Sequence, residues 1–142
     1  MATDNRYTNL LSRNVKGILL SLCVQFILGM AVNLYAVAPD DPKFGAESPL
    51  IKASFIAHGI NGLILPLFAL TILFFAFKSG NARFKKIAGV GLLSILVAAI
   101  AGISTITLKD NAIELASFVM SIGFLLSFVS YGKLFLLIKS GE

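Results

Sequence analysis

The sequence predicts an all-α membrane protein: four transmembrane helices in an antiparallel up-down bundle with both termini cytoplasmic. Three observations predict it. The 142 residues are 57% hydrophobic and only 13% charged, with a mean hydropathy of +0.89, which is too apolar for a soluble domain. Four apolar runs, each at or above the roughly 20 residues that cross a hydrocarbon core, use most of the length, so residues 1–142 read as a single domain. The basic residues are distributed unevenly between the segments that join these runs. Nine of them (Arg6, Arg13, Lys16, Lys78, Arg83, Lys85, Lys86, Lys133 and Lys139) fall on the side of the termini, while Lys43, Lys52 and Lys109 fall on the other side with five acids. The positive-inside rule then places both termini in the cytoplasm and the protein in the cell membrane.

Residues 1–14 form a polar, mildly basic lead-in. The first span covers about 15–37, longer than the ~7–15 apolar residues of a signal-peptide core, and is expected to be retained although Ala36-Val-Ala38 has the small-x-small spacing of a cleavage site. A loop over 38–50 holds three of the four prolines. Ser48 followed by Pro49 reads as a helix start, a side-chain oxygen to cap and then a residue whose missing N–H is not needed. The second span, about 51–77, contains Pro66, which removes one backbone hydrogen bond and should bend the helix. A basic turn over 78–86 leads to the third span, about 87–108. There Ser94, Ala98 and Gly102 recur every four residues, so one face is small enough for a neighbouring helix or a flat ligand to come close. After Lys109-Asp110, Asn111 and Glu114 have the spacing of a capping box for the fourth span, about 112–138.

His58, the only histidine, lies in the second span, and an imidazole inside hydrocarbon needs a partner. At 1.5 Å of rise per residue His58 falls about 10 Å below the outer start of its helix. Met30, Met120 and Gly102 fall at a similar depth. Gln25, Asn33, Asn61, Glu114 and Ser117 are near enough to form, with them, a polar cluster in the outer half. The inner half is mostly aliphatic and aromatic, with Tyr35 and Tyr131 expected at the two membrane boundaries. Two readings of His58 stand side by side. In one, a neutral imidazole bonds Asn61, Asn33 or a carbonyl and joins helices. In the other, His58 ligates a metal, as haem iron with Met120 or Met30 on the opposite face, and Lys52, about 9 Å up the helix, meets the propionates.

The stretches QFILGMAVNLY (25–35), AHGINGLIL (57–65) and SFVMSIGFLLSFVSYG (117–132) resemble a family of small prokaryotic four-helix integral membrane proteins. The first two are also similar, more distantly, to one four-helix half of heme A synthase. That resemblance implies a haem-binding bundle in which Gly29 and His58 match a glycine of the first helix and a histidine high in the second. The family's half-bundle has a further histidine on its fourth helix; here Met120 would take its place.

The function expected is non-catalytic: a membrane bundle binding b-type haem through His58, or an accessory subunit of a membrane (respiratory) assembly. The alternatives are a small-solute transporter with an outward-facing polar cavity, and a membrane redox enzyme dependent on a bound cofactor. Partners expected are the lipid bilayer and, for the accessory role, other membrane subunits or further copies of the chain; no nucleic acid is expected, since the cations punctuate apolar segments and form no basic polar face. One histidine and one cysteine supply neither the three protein ligands of a catalytic zinc nor a base and nucleophile pair.

Overall fold

Every fourth and third residue of the four apolar segments returns to the same side of a helix, and those positions build the centre of the molecule. The computed structural model describes residues 5–35, 48–106, 108 and 111–141. Within them lie α1 (Asn5–Tyr35), α2 (Pro49–Lys78), α3 (Ala82–Ser104) and α4 (Asn111–Ser140). Leu11, Val15, Ile18 and Leu22 of α1 are buried, as are Leu65, Ala69, Ile72 and Ala76 of α2 and Phe84, Ala88, Gly91 and Ile95 of α3. Each set follows a four-three-four spacing, the a/d seam of a helical bundle. In α4 the same spacing runs through Gly123, Ser127, Ser130 and Leu134.

Among the described residues α1 packs on α2 and α4, and α3 packs on α2 and α4, while the diagonal pairs do not meet. The pairing is antiparallel. Along α1–α2, Gly17 faces Phe68 and Gly29 faces His58; along α3–α4, Gly91 faces Tyr131 and Gly102 faces Met120; across α1–α4, Phe26 stacks on Phe124 at 5.8 Å between centroids. All four helices are long and apolar enough to cross a membrane. Their outward faces carry Leu20, Ile27, Leu63, Leu67, Leu93, Ile100, Leu125 and Leu136, each more than half exposed. Such a continuous apolar girdle is untenable in water and ordinary against lipid.

Local chemistry explains the helix ends. Ser48 caps α2 as expected: its Oγ accepts from the Ile51 N–H at 3.4 Å, with Pro49 in the first helical position. The helix continues through Pro66 without a break. The basic turn is shorter than expected, because Asn81 caps α3 through Oδ1, which accepts from the N–H groups of Arg83 at 2.9 Å and Phe84 at 3.3 Å. Only Ser79, Gly80 and Asn81 remain between α2 and α3, with Gly80 at φ 75°, a conformation that favours glycine. At its other end α3 stops at Ser104, short of the expected 108. There the hydroxyls of Ser104 and Thr105 donate to the carbonyls of Ile100 and Gly102 at 2.8 and 2.7 Å, a local alternative to helical bonding. The helix of the first span reaches back to Asn5, because Leu11 belongs to the buried seam and draws the polar lead-in into the helix. The 38–47 part of the expected loop, the Ala36-Val-Ala38 spacing, Lys109-Asp110 and the side chain of Asn111 lie outside the described residues.

Burial is concentrated at one end of the bundle, where the start of α1 and the ends of α2 and α4 meet the start of α3. Tyr131, expected at the membrane boundary, is instead wholly buried there, with its ring against Gly91 and its hydroxyl without a partner among the described residues. A Cβ at Gly91 would stand 2.6 Å from Tyr131 Cζ, so this approach requires glycine. Gly123 is equally confined: a Cβ there would meet the Ser94 carbonyl at 2.8 Å, and backbone cannot yield as a side chain can.

Two outcomes follow for detergent-solubilised protein. Gly123→Ala should lose about 1–3 kcal/mol, the usual cost of overpacking, whereas Gly132→Ala, whose added carbon meets nothing within 4 Å, should unfold at or above the parent temperature. Tyr131→Phe keeps the ring and removes an unpaired buried hydroxyl, so thermal unfolding should be unchanged or raised by the equivalent of about 1 kcal/mol.

Candidate functional site

The α1–α2 seam brings together four polar side chains that the chain places 40 residues apart or less. On α1, Gly17, Ser21, Gln25 and Gly29 recur every four residues and share one face; on α2, Asn61 follows His58 by three and lies on the neighbouring ridge. Ser21 Oγ donates to Asn61 Oδ1 at 2.8 Å. Asn61 Nδ2 donates to the Ser21 carbonyl at 3.1 Å and to Gln25 Oε1 at 2.9 Å. Gln25 Nε2 in turn lies 3.3 Å from His58 Nε2.

This chain of donors has one consistent direction. Because Gln25 Oε1 accepts from Asn61, the Gln25 amide nitrogen is the group that points at His58, and an amide nitrogen only donates. His58 Nε2 is therefore the acceptor, and the ring proton resides on Nδ1. Nδ1 is buried beside Gly29 without a hydrogen-bond partner among the described residues, and a Cβ on Gly29 would stand 3.1 Å from His58 Cε1. Glycine at position 29 is what lets the ring approach α1 this closely. Gly62 does the same for Gln25, whose Nε2 would be 3.3 Å from a Cβ there.

The expected site residues divide accordingly. His58, Gln25 and Asn61 meet, and Gln25, which sequence reasoning had only in the wider cluster, is the direct partner of the imidazole. Asn61 acts through Gln25 rather than on His58, and Asn33 is exposed near the end of α1. Ser21 is the member missed. Its signal was available in the every-fourth-residue repeat of small and polar residues along α1, the same signal that marked Ser94, Ala98 and Gly102 on α3.

Met120 packs its sulfur on Gly102, where a Cβ would be 3.1 Å from Sδ, so these two belong to the α3–α4 seam. Met30 is 43% exposed on α1. The Phe26–Phe124 stack sets Met30 and Met120, one turn beyond each ring, at one level. His58 and Met120 nonetheless sit on α2 and α4, which are diagonal in the bundle. Lys52 and Glu114 lie exposed on the first turns of α2 and α4, and Ser117, half-buried on α4, accepts through its carbonyl from Ser121 at 2.9 Å. No group of three or more metal-binding His, Cys, Asp or Glu side chains occurs among the described residues.

Comparison of the chain with protein-family models, with curated proteins and with solved structures gives no match. What the site does is therefore argued from its own chemistry. A ring nitrogen that accepts from an amide, with its donor held against a glycine, joins two helices; the lone pair that a metal would need is the one Gln25 occupies.

Asn61→Leu removes three of the four contacts in this chain and, at the ~0.6 kcal/mol that an interhelical hydrogen bond in a membrane averages, should cost about 1–2 kcal/mol. Gln25→Leu with Asn61→Leu should cost less than the sum of the single changes, because each removes the other's partner. Equilibrium unfolding of the three variants in mixed micelles measures both quantities.

Proposed function

We propose that this chain is a non-catalytic integral protein of the cell membrane, with both termini in the cytoplasm, that serves as a small accessory subunit of a larger membrane assembly. The observation that carries this reading is the inversion of its surface. Apolar side chains face outward along all four helices, while the polar side chains of the α1–α2 seam bond one another and present no reactive group to a substrate. Charge supports the orientation: the nine basic residues counted in the sequence belong to the end at which α1 begins and α4 finishes. His58 in this reading is a helix-joining residue.

A second reading, b-type haem, is favoured by one contact. Gly29 and His58, the two positions carried over from the resemblance to a half of heme A synthase, face each other across α1 and α2. At 3.3 Å the Gln25–His58 contact is at the long end for a hydrogen bond, so exchange of the amide for iron would cost little. When bound, the group would supply one-electron chemistry. His58 would hold it, Met120 or Met30 would have to turn towards it, and Lys52 lies nearer the membrane surface to meet its carboxylates.

The two readings differ in the visible spectrum of the purified, detergent-solubilised protein. The accessory reading expects no Soret band as isolated and none above the free-haemin baseline on titration. The haem reading expects a band that His58→Leu abolishes and that Gln25→Leu strengthens by releasing Nε2. Tags at either end that are reachable only from the cytoplasmic side check the orientation, and reactivity from the outside would reverse it.

A further inference from the structure

We propose that the basic end of the bundle holds an anionic phospholipid, its phosphate between Arg13 and Asn14 of α1 and its acyl chains against Phe68 of α2. The inference rests on the membrane reading above and goes beyond it by naming a ligand class and a place. An open cleft of about 280 Å³ lies between α1 and α2 and is lined by Leu10, Arg13, Asn14 and Phe68. Arg13 and Asn14 give the cleft its polar groups, Leu10 and Phe68 its apolar ones, and Phe68, level with Gly17, lies further along the bundle than Arg13.

Each lining residue has a defined role. The Arg13 side chain is exposed, and its guanidinium carries five donors in a geometry that matches phosphate. Asn14 Nδ2 donates to the Leu10 carbonyl at 2.8 Å, which holds the amide in place and leaves its second N–H for a further acceptor. Phe68 packs its ring on Gly17, where a Cβ would stand 2.8 Å from it, and so forms the apolar wall of the cleft on the α2 side. Arg13 precedes by two residues the apolar run that opens at Val15, which is the depth of the headgroups, and Phe68 lies on the hydrocarbon side of it.

The charge around the cleft selects the sign of the ligand. This end of the chain carries nine basic residues against Asp4 and Glu142, and Glu114, at the other end of the bundle, is the only acid among the described residues. Four lysines of the same end rest on phenylalanine faces. Lys16 and Lys139 share Phe135 at 6.0 and 5.4 Å, Lys78 lies over Phe74 at 5.7 Å and Lys85 over Phe77 at 5.4 Å. Their stems cover apolar surface and their ammonium groups form a collar at the membrane boundary, which draws anionic headgroups towards the cleft.

The test is native mass spectrometry of the full chain, purified in detergent and titrated with phosphatidylglycerol or with phosphatidylcholine of the same acyl chains. The first phosphatidylglycerol should bind about tenfold more tightly than phosphatidylcholine. Arg13→Gln should bring the two lipids close to parity, Arg13→Lys should keep part of the preference, and Lys109→Gln, which the sequence puts on the opposite side, should leave it unchanged. Asn14→Ala is a second probe of the cleft that leaves the charge intact, and should lower retention several-fold. Equal retention of both lipids, or a preference indifferent to Arg13→Gln and Asn14→Ala, overturns the proposal. Displacement by water-soluble glycerophosphate at the lipid's own concentration also overturns it, in favour of a free phosphate ester. A chain that stays dispersed and monomeric without detergent would instead defeat the membrane reading, an outcome distinct from equal lipid retention by a detergent-requiring protein.

Discussion

The fold depends on the close approach of α1 to α2 and of α3 to α4. In hydrocarbon, helices gain nothing by burying leucine, because lipid tails are as apolar as the side chains they would replace. What remains is dense packing and hydrogen bonding, and both need backbones that come near. Gly17 and Gly29 permit this on α1, Gly91 and Gly102 on α3 and Gly123 on α4, each with a neighbour inside or at the limit of the space a methyl group would need. The two helix pairs use it differently. Along α3–α4 the space receives Tyr131 and Met120, so the seam is a packing seam. Along α1–α2 it receives Phe68 at Gly17 and His58 at Gly29, with Gln25 against Gly62 of α2, so that seam is apolar at one end and polar at the other.

The deepest burial and the interhelical hydrogen bonds are thereby separated along the bundle axis; the buried Ser79, Ser94 and Ser127 bond carbonyls of their own helices. The end holding the start of α1 and the end of α4 is filled by the four-three-four seams of Leu11 to Leu22, Leu65 to Ala76 and Phe84 to Ile95. Towards the other end, Ala101 and Ala116 are the buried apolar residues of α3 and α4, and helix contact there relies on the chain from Ser21 through Asn61 and Gln25 to His58. A polar seam suits such a place: its bonds are directional and fix register where side-chain interlocking is sparse. Within that polar stretch His58 meets an amide and a glycine of α1.

The basic end adds a further layer to the same organisation. Cations there do not interrupt the core, since long stems lie along phenylalanine rings and carry the charge to the periphery. The well-packed half of the bundle is consequently also the half that carries the lysine collar, and the hydrogen bonds of Gln25 and His58 lie away from it.

Much of this was legible in the residues. Composition and the length of four apolar runs determined an all-helical chain able to cross a membrane, because lipid admits only helices and closed barrels, and runs of roughly 20 continuous apolar residues are not the alternating, roughly 10-residue strands of a barrel. Ser48-Pro49 marked the start of α2, since that cap needs only neighbours in sequence, and the Ser94, Ala98 and Gly102 repeat marked the face on which α4 packs. The start of α3 at the Asn81 cap is hidden from hydropathy, because Arg83, Lys85 and Lys86 make its first turn look like part of a polar connection. The tertiary structure alone decided the partner of His58. Asn61, Asn33 and Gln25 all lie within reach by depth, and depth along a helix says nothing of azimuth. Only the face on which α1 and α2 meet, set by Gly17, Ser21, Gln25 and Gly29, turns Gln25 to the imidazole and leaves Asn33 outside, and only the close approach of α4 to Gly91 of α3 carries Tyr131 from an expected boundary position into the core.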